Sequence, residues 1–204
     1  GVFSVLSIPE FRWLFVGNVA FFFAMQGQIL TRSILAWDLT GSAQSLAYIN
    51  LVVAVPMMFA SMIGGAITDR VERRQLVIIG QCLITGNEIF ILCLLLLGQL
   101  EFWHLLCTAF IAGCAFPFIM PARMAITINV VGHERIQSAM AISGGAMNLS
   151  RVAGPAMAGL IIAQFSVVAA YIVSTLLYGA AVICMLFVKR NIAIQPEGGK
   201  QPLL

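Results

Sequence analysis

The chain has 204 residues and a formal net charge of +3, with 61% hydrophobic and only 9% charged residues. Soluble domains carry about 25% charged residues, so a soluble fold is excluded. Long apolar runs without period-two alternation exclude a β-barrel. No basic tract with interleaved aromatics supports nucleic-acid binding. What remains is an all-α, polytopic membrane protein whose partner is the lipid bilayer.

A bilayer core needs about 20 apolar residues of helix, and six such spans are predicted at 12–37, 44–67, 76–98, 102–123, 137–163 and 166–188. The first carries Asn18, Phe21, Met25, Gln28 and Arg32. At about 100° per residue these share an arc of about 80°. Amide, guanidinium, thioether and ring on one stripe suit a wet, amphipathic cavity. The alternative for Arg32 is snorkelling to the outer interface, towards Asp38.

The second span contains Pro56 and ends in the turn "GGAITDRVERRQ", Gly64 to Gln75, the densest run of charge in the chain. The third span places Gln81, Thr85 and Glu88 on one face. Glu88 is the one acid at mid-depth, expected to be either a proton-coupling site or the ion-pair partner of Arg151. The fourth span contains Pro117 and Pro121 and is followed by a longer turn, "ARMAITINVVGHERIQ". In the fifth, Gln137, Gly144, Asn148, Arg151 and Pro155 fall on one face, where small residues allow close helix approach. Residues 1–188 form the bundle, and 189–204 read as a linker or tail.

Arg12, Arg70, Arg73, Arg74, Arg123, Arg135, Lys189, Arg190 and Lys200 all fall at the N-terminus, the second turn, the fourth turn or the tail. The first, third and fifth turns carry no Lys or Arg. The positive-inside rule then puts both termini in the cytoplasm. Cys82, Cys93, Cys107, Cys114 and Cys184 lie scattered in apolar runs, without metal spacing. His104 and His133 stand near opposite membrane faces, so no enzyme, cofactor or metal site emerges. "FVGNVAFFFAMQ" (15–26) and "FIAGCAFPFIMP" (110–121) share five identities in twelve, a faint echo of a three-plus-three helix repeat.

The second turn resembles the motif G-x-x-x-D-R-x-G-R-R/K of the major facilitator superfamily, through Gly65, Asp69, Arg70, Arg73 and Arg74. Glu72 stands where the family usually has Gly. The segment from "LAWDLTGSAQ" to "RRQLVI", with "FPFIMPARMAI" and "ISGGAMNLSRVAGPAMAGLI", is similar to the branch with enterobactin exporters and macrolide efflux proteins. The last segment holds a partial fifth-helix motif in Asn148, Arg151, Gly154, Pro155 and Gly159, with Ala158 replacing a usual Gly.

The resemblance implies the six-helix N-terminal half of a transporter fold and a motif that latches the two halves together. It also implies a first-helix substrate path, here Asn18, Met25, Gln28 and Arg32. The expected function is proton-driven export of a small amphipathic molecule across the bacterial inner membrane, by alternating access. The family has twelve spans, so a second half is expected, either further along a longer chain or from a dimer mate. The rival expectation is a non-transporting membrane assembly partner or scaffold.

Overall fold

The structure is a computed structural model and describes residues 2–68 and 71–188. In a bilayer every backbone polar group must be satisfied within the segment, and six helices answer that demand: α1 (Pro9–Thr40), α2 (Ala43–Thr68), α3 (Arg73–Leu96), α4 (Phe102–Val131), α5 (Ile136–Gln164) and α6 (Val167–Phe187). All six are long and apolar enough to cross a membrane. Short 3-10 turns precede α1 (Val2–Ser7) and α5 (His133–Arg135). The predicted tail, 189–204, lies outside the described residues.

Local sequence sets the ends. Pro9 opens α1, where its missing N–H costs nothing. Gly41 closes it in the left-handed region at φ 62°, its N–H donating to Trp37 O at 2.7 Å. The Ser166 hydroxyl accepts from Ala169 N at 3.1 Å and so starts α6. At the head of α4, Glu101 N donates to His104 Nδ1 at 3.0 Å and the Glu101 carboxylate accepts in return from the backbone N–H of His104.

Five of the six predicted spans agree with the helices to within a few residues. The fourth does not, because α4 continues through Pro121 to Val131. Arg123 was expected in a cytoplasmic turn, yet it lies inside the helix and is buried, as are Ala122, Ile126 and Thr127. Gly132, at φ 72°, is the real stop.

The helices pack as two interlocked triplets. α1 lies against α5 and α6, and α4 lies against α2 and α3, so exchanging the first three helices for the last three reproduces the main packings. This is the three-plus-three repeat that the echo between spans one and four suggested. Core layers stack along α1. Leu14 packs with Val77, Ala122 and Val188 at one end. Phe21, Ile84, Ile119 and Tyr178 form the middle layer. Leu35, Ile91, Leu105 and Tyr171 form the other end. The start of α1 and the end of α6 are therefore at the same end of the bundle.

Glycine allows the closest crossing. A Cβ on Gly154 would stand 2.9 Å from Gln26 Cβ and 3.2 Å from Gly27 N, so α5 touches α1 backbone to backbone. α1 is the central helix, 56% buried over its most apolar window, against 17% for α2 and for α5. Those two helices leave broad faces uncovered.

Candidate functional site

The polar stripe of α1 divides between two buried clusters. In the first, Arg32 Nη2 and Glu88 Oε1 form an ion pair at 3.4 Å between α1 and α3. Gln28 Nε2 donates to the same carboxylate oxygen. Tyr178 OH, from α6, donates to Gln28 Oε1 at 2.8 Å. Glu88 is fully buried and Arg32 nearly so. Ile84 and Ile91, one turn to either side of Glu88, belong to the middle and far core layers, which places the pair between them. Arg32 Nε and Glu88 Oε2 remain without a hydrogen-bond partner, and Tyr171 is buried in the far layer.

This arrangement corrects two expectations. Glu88 pairs with Arg32 and not with Arg151. Nor does Arg32 snorkel towards Asp38, because its guanidinium turns inward to the carboxylate while Asp38 is exposed. The physical reason is proximity: α1 and α3 both pack on α6, which brings Arg32 to Glu88, whereas α5 packs chiefly on α1 and not on α3.

In the second cluster Asn18 Oδ1 accepts from Arg123 Nη1. The Arg123 guanidinium lies 4.0 Å from the centroid of the Phe21 ring, a cation–π contact. Met25 is half-buried against the middle layer that holds Phe21 and Tyr178. Thus Gln28 and Arg32 are brought together with Glu88, Asn18 joins Arg123 about 20 Å away along α1, and Met25 joins neither.

Arg151 and Asn148 are exposed half-way along α5, with Pro155 and Gly159 half-buried and Gly154 wedged against α1. Of the charged turn, Gly65 lies in the last turn of α2, while Asp69 and Arg70 lie outside the described residues. Arg73 opens α3. Arg74 donates from Nε to Val188 O at 2.7 Å and from Nη2 to Leu186 O at 2.9 Å. Those carbonyls are left over at the end of α6, where a cation is favoured.

Sequence reasoning missed Arg123, Tyr171 and Tyr178. The apolar run "MAITINVV" after Arg123 was the signal that α4 did not end there. The tyrosines, two turns apart with Ser174 between them, mark one buried face of α6.

Six membrane-length helices in two exchangeable triplets, with charge buried between them, define an all-α polytopic membrane bundle. A family model described as "Transmembrane secretion effector", of the MFS group, matches residues 1–197, and the chain belongs to the major facilitator superfamily. It is 20% identical over 166 residues to the "Uncharacterized MFS-type transporter YfiS" of Bacillus subtilis (strain 168), an alignment that covers 81% of this chain and 39% of that protein. The chain therefore spans about two fifths of its relative's length.

Proposed function

We propose that this bundle is one half of a secondary-active transporter, exporting small amphipathic molecules of the siderophore or drug type by alternating access. The observation that carries the reading is Arg151, exposed with Asn148 in the middle of a membrane-length helix. A charge facing lipid at that depth is costly, so this face needs water or protein. A second six-helix half supplies both, covering α2 and α5 and enclosing a pathway with α1. Further chain or a second copy fills that role equally in chemical terms.

The export cycle is driven by protons, and Glu88 is their carrier. Protonation would neutralise its carboxylate and weaken its hold on Arg32, coupling a proton to the polar tie between α1 and α3. The motif around Asp69 would act as the latch on the cytoplasmic side of a bacterial inner membrane, with both termini in the cytoplasm. Arg12, Arg73, Arg74 and Arg135 support that orientation through the positive-inside rule.

Counterflow in proteoliposomes holding an assembled twelve-helix particle tests transport. Glu88→Gln tests coupling: it should abolish accumulation driven by a proton gradient and leave counterflow intact. Loss of both together would assign Glu88 a structural role.

A further inference from the structure

Arg32 and Arg123 are both buried arginines within the membrane helices, and they differ in one respect. Arg32 has a carboxylate; no carboxylate among the described residues pairs with Arg123. Its one hydrogen-bond acceptor is the neutral amide of Asn18, and its Nε and Nη2 have no protein partner. Arg123 is only 4% exposed. A buried cation without an anion is a costly arrangement.

Arg123 lines a cavity of about 200 Å³ between α1, α4 and α5, and its two unpartnered nitrogens are themselves buried. Nε and Nη2 project from one edge of the planar guanidinium, the edge that grips a carboxylate with two parallel hydrogen bonds. Thr127 and Ser143 add hydroxyls to the wall, and Ser143 Oγ also lacks a partner. The remainder is Phe22 with Met120, Met124, Met140 and Met147. Methionine is flexible and polarizable and adapts to varied apolar shapes. The volume is below the roughly 300–1,000 Å³ that encloses a drug-sized ligand, so the cavity takes one end of a molecule.

We propose that Arg123 and this cavity bind the anionic head group, a carboxylate or an anion of like geometry, of an amphipathic ligand, with the methionines receiving its adjoining apolar part. The assignment deepens the transporter reading and rests on it for the ligand's origin, since it narrows the exported molecules to acids. A lipid phosphate offers the same chemistry.

The test uses the full chain with its five cysteines replaced by alanine and Gly144→Cys introduced, in phosphatidylcholine nanodiscs. Gly144 lines the cavity, and a Cβ there meets nothing within 4 Å. Labelling by the anionic reagent sulfonatoethyl methanethiosulfonate is compared with labelling by its trimethylammonium analogue. Arg123→Gln should lower the anion-to-cation rate ratio about tenfold, equivalent to about 1.4 kcal/mol, and Arg123→Lys should largely preserve it. Dodecanoate should protect the thiol and dodecyltrimethylammonium should not.

Phosphatidylglycerol in the disc, protecting where added dodecanoate does nothing more, would assign the same head-group chemistry to a lipid. Equal protection by the anion and the cation in the Arg123 protein overturns the proposal without needing any Arg123 variant. A rate ratio indifferent to Arg123→Gln overturns it as well. Because labelling requires no flux, protection without transport would sink the transporter reading alone, and transport without anion-selective protection would sink this site alone.

Discussion

Arg32 on α1 meets Glu88 on α3 at 3.4 Å, with Gln28 sharing the same carboxylate oxygen and Tyr178 of α6 holding Gln28. Three helices are thus tied by one buried polar chain at a level between two apolar layers. Such a pair adds little net stability compared with apolar residues of the same volume, yet removing one partner strands the other charge.

That asymmetry gives the first prediction. Arg32→Met or Glu88→Leu alone should destabilise the bundle by about 3–5 kcal/mol. The double variant should recover most of that loss. Unfolding curves in a fixed detergent would show it, and a double variant as unstable as the sum of the singles would remove the coupling.

Helix crossing gives the second. Gly154→Val should push α5 off α1 and cost about 1–3 kcal/mol by overpacking, because a Cβ at Gly154 already meets Gln26 and the backbone of Gly27. Gly144→Ala, two to three turns earlier on α5, should be tolerated, since that position opens on space. Thermal melting of the two variants side by side distinguishes local close packing from a general need for glycine in α5.

How far the sequence led is clearest from four residues. The six spans were legible because apolar length is a direct consequence of bilayer thickness. Gly154 was legible only as part of the fifth-helix motif, and the small-residue face expected to allow close approach opens on space at Gly144. Glu88 and Arg32 were each recognised as charges needing an account, but their pairing was not. Depth along a span can be counted from sequence, whereas the neighbour of each helix depends on the packing of all six. Arg123 was lost for a different reason. An arginine after a proline reads as the end of a span, and that reading outweighed the apolar run beyond it, where the burial of Ile126, Thr127 and Val131 shows the helix going on.

The third prediction concerns Arg74. Hydrogen bonds to a charged donor contribute about 1.5–3 kcal/mol when buried, and partial exposure here reduces that to about 1 kcal/mol. Arg74→Ala should accelerate amide exchange over the last turn of α6 and leave α5 unchanged. Hydrogen-exchange mass spectrometry resolves the two helices. Uniform acceleration across both would mean that Arg74 supports the whole bundle and not the α6 terminus.

The fourth concerns the proposed latch. Asp69→Asn in the assembled transporter should shift the population towards the inward-open state, making cysteines placed near the start of α1 more reactive from the cytoplasmic side. Accessibility that stays the same in the variant would leave the motif's arginines with a topological role only.

The central claim, that this six-helix bundle moves amphipathic molecules when joined to a second half, is tested most directly by counterflow. Proteoliposomes preloaded with a catecholate siderophore, a macrolide or an amphipathic carboxylic acid should exchange the labelled compound across the membrane when they contain the twelve-helix particle. Empty liposomes and liposomes holding unassembled six-helix bundles should not. A particle shown to be assembled, yet giving no exchange above empty liposomes for any of these compounds, would contradict the account.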